Sequence, residues 1–148
     1  MENNSVLLIA CDWNTKHLFY NSHLYKMYRI LVIDDDLDIL SVVEILLSMK
    51  GYNVEVTAKG EEAFSRIEKF KPHLILLDVL ISGHDGRVIC QQIKTNESTS
   101  HIPVIMFSGH PGAVASISQH GADDFLSKPF DANKLIEKIE MQLEKVKL

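Results

Sequence analysis

The stretch ILVIDDDLDIL, residues 30–40, runs four apolar residues into three adjacent aspartates and then returns to apolar residues. A short, continuous apolar run of this kind reads as a strand buried on both faces. The aspartates mark its end. Asp is a favoured helix N-cap, and a helix beginning near Leu37 accounts for Asp36. Asp34 and Asp35 are left without a structural task.

The same alternation repeats along the rest of the chain. Residues 38–51 read as a helix with Ile39, Val43 and Leu46 on one face, Leu40 and Leu47 beside it, and Gly51 suited to the C-terminal cap. A strand over 52–58 follows. The helix over 60–70 carries acids in its first turn and basic residues near its end, and Pro72 stops it. Strands over 73–79, 103–109 and 124–128 then alternate with helices over 86–94, 112–121 and 131–148. In the last helix Asp131 can cap, and Leu135, Ile139 and Leu143 recur every fourth residue. Five strand–helix units predict an α/β fold: a doubly wound five-stranded parallel sheet with helices on both faces.

Such sheets bind ligands at the carboxyl ends of their strands, where the strand order reverses. Asp34 and Asp35 follow the first strand, Asp78 ends the third, Ser108 ends the fourth and Lys128 ends the fifth. Four parts of the chain thus deliver polar groups to one edge of the sheet.

Composition narrows the function classes. The chain has 148 residues, 46% hydrophobic and 24% charged, with a net charge of -5. That is one soluble domain's worth, without the clustered Lys and Arg of a dedicated nucleic-acid surface. Cys11 and Cys90 form no disulfide framework, and no apolar run approaches the roughly 20 residues of a membrane span. A cytoplasmic protein is the expectation. Residues 1–28 stand outside the alternation, with Trp13, Phe19, Tyr20 and Tyr25 but no clean period. Met27 directly precedes the first strand, so this segment is expected to be a disordered extension or a start-site artefact ahead of a domain over 29–148.

Two carboxylates about 5 Å apart repel by roughly 3 kcal/mol at an effective dielectric near 20. Three converging at a strand edge therefore need protons or a cation. Oxygen ligands suit Mg²⁺, which takes one or two carboxylates and leaves positions for a phosphate. The seven histidines are scattered with no pair at ligand spacing, so no zinc site competes. A carboxylate can itself attack phosphorus to form an acyl phosphate. A lysine and a hydroxyl nearby would supply the charge and hydrogen bond that such a transfer needs.

With these residues in place, the chain from about Arg29 onward resembles the receiver domain of two-component response regulators. ILVIDDD is similar to the family's first strand with its acidic pair, here Asp34 and Asp35. PHLILLDVLISGHDG, residues 72–86, is similar to the strand and loop around its phosphorylated aspartate, here Asp78. VIMFSG ends at the hydroxyl position, Ser108, and GADDFLSKPF, residues 121–130, is similar to the closing motif with Lys128 and Pro129.

The resemblance implies a flavodoxin-like, CheY-like strand order 2-1-3-4-5 and a phosphoryl group passing from a histidine kinase to Asp78. It implies Mg²⁺ held by Asp35, Asp78 and the Leu80 backbone carbonyl, with Asp34 acting through water. It further implies a cis Lys128–Pro129 bond, an open phosphate site beside the small Gly109, and movement of Ser108 and Phe125 on phosphorylation. The coupled surface would be the fourth helix, fifth sheet strand and fifth helix, presented to a downstream effector protein. A phosphorylation-dependent homodimer stays open.

The sequence departs from the family at several points. Ser82 stands where the family often has proline, which suggests a less rigid loop with no chemical group lost. Leu80 and His110 fall at variable positions that influence hydrolysis of the acyl phosphate, and Phe125 replaces the commoner tyrosine. Asp36, the Asp85–Gly86 turn and the Asp123–Asp124 pair are assigned structural or solvated roles.

Among function classes, a signalling phosphoacceptor that is not itself an enzyme leads. Its variant is a relay intermediate passing phosphate to a histidine phosphotransfer protein. An aspartate-nucleophile phosphatase fits less well, because its nucleophile belongs after the first strand. Direct contact with nucleic acid or membrane is not expected. If 148 residues is the full length, the closing helix leaves no room for a DNA-binding output domain.

Overall fold

The computed structural model describes residues 28–110 and 112–146. The leading segment read above, as far as residue 27, lies outside the described residues.

Five strands form one parallel sheet: β1 (Arg29–Ile33), β2 (Asn53–Thr57), β3 (Leu74–Asp78), β6 (Val104–Ser108) and β7 (Asp124–Ser127). Their spatial order is β2-β1-β3-β6-β7, which is 2-1-3-4-5 when only sheet strands are counted. The intervening β4 (Leu80–Ile81) and β5 (His84–Asp85) pair with each other as a small antiparallel hairpin outside the sheet. Strand patterns alone did not anticipate this hairpin. Its two-residue turn, Ser82–Gly83, has positive φ at both positions (21° and 81°), the backbone that tight hairpins demand and that glycine tolerates.

The helices are α1 (Leu37–Met49), α2 (Ala63–Phe70), α3 (Gly86–Thr95), α4 (Ala113–Gln119) and α5 (Ala132–Leu143). Alternation along each strand divides the core between them. Ile30 and Val32 face one side, packed with Leu40, Val43 and Leu47 of α1 and Leu135 and Ile139 of α5. Leu31 and Ile33 face the other, packed with Ile67 of α2, Ile89 and Ile93 of α3 and Ile117 of α4. Every residue of β3 is buried, as expected of the central strand with helices on both sides.

Two local readings shift. The buried face of α1 is Leu40, Val43 and Leu47, while Ile39 and Leu46 lie at its margin. Tyr28, counted by sequence with the leading segment, is buried and packs edge-on against His73. Asp36 does cap α1, accepting from the Asp38 and Ile39 N–H groups at 3.0 and 3.2 Å. Asp131 caps α5 in the same way, through the Asn133 and Lys134 N–H groups.

Candidate functional site

The parallel strands bring their carboxyl ends to one edge. Asp34, directly after β1, is fully buried (0% exposed). Its Oδ1 accepts the Asp36 N–H at 2.9 Å, and its Oδ2 accepts the Lys128 Nζ at 2.6 Å. Asp78, the last residue of β3, accepts its neighbour Val79 N–H on Oδ1 at 2.8 Å. The Asp78 Oδ2 lies 3.2 Å from the same Lys128 Nζ. Lys128 follows β7, where its backbone N–H donates to the Ser108 carbonyl at 2.8 Å and its peptide bond to Pro129 is cis. One ammonium thus bridges carboxylates from two strands. Asp35 is exposed, and its Oδ2 accepts both the Ser82 N–H at 2.9 Å and the Ser82 hydroxyl at 2.8 Å. One oxygen from each of Asp34, Asp35 and Asp78 lies within 4.8 Å of the others.

The electrostatics follow from this crowding. Burial, then the Asp34 charge, push the Asp78 carboxyl above the usual carboxylate range, against the pull of Lys128. Burial alone would lower the Lys128 ammonium. Its hydrogen bond to Asp34 and the charges of Asp34 and Asp78 outweigh that and leave it raised. Asp35 is held below the usual range, first by the Ser82 backbone N–H and then by its hydroxyl. Here, then, one carboxylate is stabilised in its charged form, and the nucleophile candidate is destabilised in its own.

The remaining sequence candidates lie around this cluster. Ser108 is buried at the end of β6, and its Oγ accepts the His110 N–H at 3.0 Å. A Cβ added at Gly109 would meet open space. Leu80 is 62% exposed. Phe125 is half-buried and packs on the α2–α3–α4 side of the sheet.

Three readings change. Ser82 does bring a chemical group, the paired donors on Asp35, although Ser82 in place of a proline was the one visible signal of it. The Asp85–Gly86 turn is the start of α3: Asp85 caps it through the Arg87 N–H at 2.9 Å. A Cβ on Gly86 would sit 1.9 Å from the Asp78 carbonyl oxygen. Asp123 is no mere solvated entrance, since it accepts both the Lys94 Nζ and the Val104 N–H. Asp124 likewise pairs with Lys138 at 2.6 Å.

An oxygen-only donor set with a neighbouring ammonium fits a hard divalent cation and a phosphoryl group. Among the described residues no helix is long and apolar enough to cross a membrane.

Comparison with known proteins agrees with this geometry. The sequence model of the response regulator receiver domain matches residues 30–140. The DNA-binding dual master transcriptional regulator RpaA of Synechocystis sp. is 36% identical over 121 residues, covering 80% of this chain and 50% of that one. The chain therefore spans about half the length of the curated relatives it matches. Among solved structures, the receiver domain of NtrX from Brucella abortus is 35% identical with a TM-score of 0.72, over 79% of this chain and 99% of that one. A CheY-like response regulator receiver domain protein from Methanospirillum hungatei JF-1 is 29% identical with a TM-score of 0.73, over 80% and 94%.

Proposed function

The chain belongs to the response regulator receiver family of two-component signalling, and from that premise we propose that it accepts a phosphoryl group on Asp78 from the phosphohistidine of a histidine kinase. The observation that carries this reading is the Lys128 ammonium set between Asp34 and Asp78, with Asp35 beside them. A structural ion pair needs only one of those carboxylates.

In the transfer, an Asp78 carboxylate oxygen attacks phosphorus and forms an O–P bond as the N–P bond to the donor imidazole breaks. The electron pair of that bond leaves on the imidazole nitrogen, which takes up a proton. Lys128 keeps its charge throughout and turns from the Asp78 carboxylate to the incoming phosphoryl oxygens. Asp35, Asp78 and the Leu80 carbonyl would hold Mg²⁺. Asp34, with both oxygens already engaged, suits a contact through water. Bound there, the cation would supply positive charge that offsets the charge on the phosphoryl oxygens. Gly109, next to Ser108, is exposed with open space where a side chain would stand, which favours approach of the donor.

Signalling then depends on the chain's own hydroxyl and aromatic. The Ser108 Oγ, now accepting from His110, would donate to a phosphoryl oxygen, and Phe125 would follow it inward. The surface biased by that movement is α4, β7 and α5, where α4 has only seven residues and buries Ala113 and Ile117. A downstream protein would read the change, in the cytoplasm. The proteins that signal through this family act as switches, and the chemistry of Asp78 serves its own phosphorylation and dephosphorylation only.

A small acyl phosphate with Mg²⁺ should add one phosphoryl group, read by intact mass. Asp78→Asn should abolish the adduct; an undiminished adduct on that variant would overturn the assignment.

A further inference from the structure

Asp35 differs from its two partners in how it is held. Asp34 and Asp78 are buried and tied to Lys128, whereas Asp35 is exposed, so its rotamer depends on hydrogen bonds rather than on burial. What fixes it is Ser82, reaching from the hairpin turn 47 residues later in the chain. Both Ser82 donors converge on one oxygen, Oδ2, so a single residue holds the carboxylate by two bonds. A proline at this position could donate neither bond. The turn that makes this possible is an uncommon one, because Ser82 holds φ of 21°, where few side-chain-bearing residues sit.

We propose that Ser82 is a positioning residue for the divalent cation, holding the exposed Asp35 carboxylate oriented so that the three-carboxylate cluster is preformed before the metal arrives. This rests on the acidic cluster being the cation site of the proposed function. Groups that orient a metal ligand through a hydrogen bond typically change metal affinity by 10-fold or more when removed. The Ser82 backbone N–H survives substitution of its side chain, so the expected loss lies near the low end, about 10-fold.

The test is Mg²⁺ titration of the full chain by calorimetry, comparing the native protein with Ser82→Ala and Ser82→Gly. The glycine variant accepts the positive φ without strain and so separates the hydroxyl from the backbone conformation. Both variants should bind Mg²⁺ about 10-fold more weakly. In phosphorylation by a small acyl phosphate, both should need correspondingly more Mg²⁺ for half-maximal rate. Their rate at saturating Mg²⁺ should stay within about twofold of native, because Ser82 acts on the ligand and not on the transferring group. Native-like Mg²⁺ affinity in both variants overturns the positioning role alone. So does a reduced maximal rate with an unmoved Mg²⁺ dependence. A native chain that binds no Mg²⁺ overturns both this role and the reading on which it rests.

Discussion

Burial and the Asp34 charge raise the Asp78 carboxyl despite Lys128, so the folded chain binds that proton more tightly than the unfolded chain does. The stability associated with a protonated Asp78 is complete below the ordinary carboxylate range and is lost as pH rises through the elevated folded-state value. At neutral pH the ionised side chain is therefore a liability to the fold. Asp78→Asn should remove the charge while keeping an acceptor for the Val79 N–H, and should raise stability at pH 7 by about 1 kcal/mol in metal-free buffer. Urea denaturation checks this, and the advantage should shrink as pH falls below the carboxylate range, where native Asp78 is protonated too. An equal or lower midpoint for the variant at pH 7 would contradict the electrostatic account. The residues of the cluster were legible because each stands where an apolar run stops, and Asp34, Asp35, Asp78 and Lys128 do meet. Ser82 was not, because its partner lies 47 positions away and only the hairpin brings them together.

Elements were legible where a period was long enough to see. The five sheet strands and five helices follow from apolar runs and from the spacing in segments such as Leu135, Ile139 and Leu143. The face of α1 was less clear, because the helix is apolar on several sides. Leu37, Val42, Ile45 and Met49 remain exposed while Leu40, Val43 and Leu47 are buried, and only packing against the sheet selects between them. The β4–β5 hairpin escaped for another reason: two-residue strands carry no period at all. That hairpin returns the chain so that α3 starts against the backbone of Asp78, the proposed phosphoacceptor. Gly86 donates its N–H to the Val79 carbonyl at 2.8 Å and leaves no space for a side chain. Gly86→Ala should therefore displace either the start of α3 or the Asp78 backbone, costing about 3 kcal/mol. Because the displaced atom belongs to Asp78, the acyl phosphate reaction should slow as well. A variant with native stability and native phosphorylation would show that the close contact is relieved without consequence.

At the scale of the molecule, strand order and site are one consequence of connectivity. Right-handed crossovers put α1 and α5 on one face and α2, α3 and α4 on the other. The order then reverses between β1 and β3, so the ends of those two neighbouring strands carry Asp34 and Asp78. Lys128 reaches them from the edge strand, and the aspartate that needs an extra support is the one facing solvent. Both core clusters are assembled from Tyr28 onward among the described residues, with Tyr28 closing the base of β1 by accepting the Asn53 N–H at 3.0 Å. We propose that the folding unit is contained in residues 28–146 and that the preceding segment adds little to it. A chain beginning at Met27 should then melt cooperatively, with a midpoint within about 2 °C of the full chain, since a 1 kcal/mol change would move a domain of this size by several degrees. Calorimetry should also return the same Mg²⁺ affinity, because among the described residues the cluster and its hydrogen-bond partners lie downstream. A lower midpoint with unchanged Mg²⁺ binding would assign the aromatic-rich segment a packing role. Loss of both would place it within the folding unit.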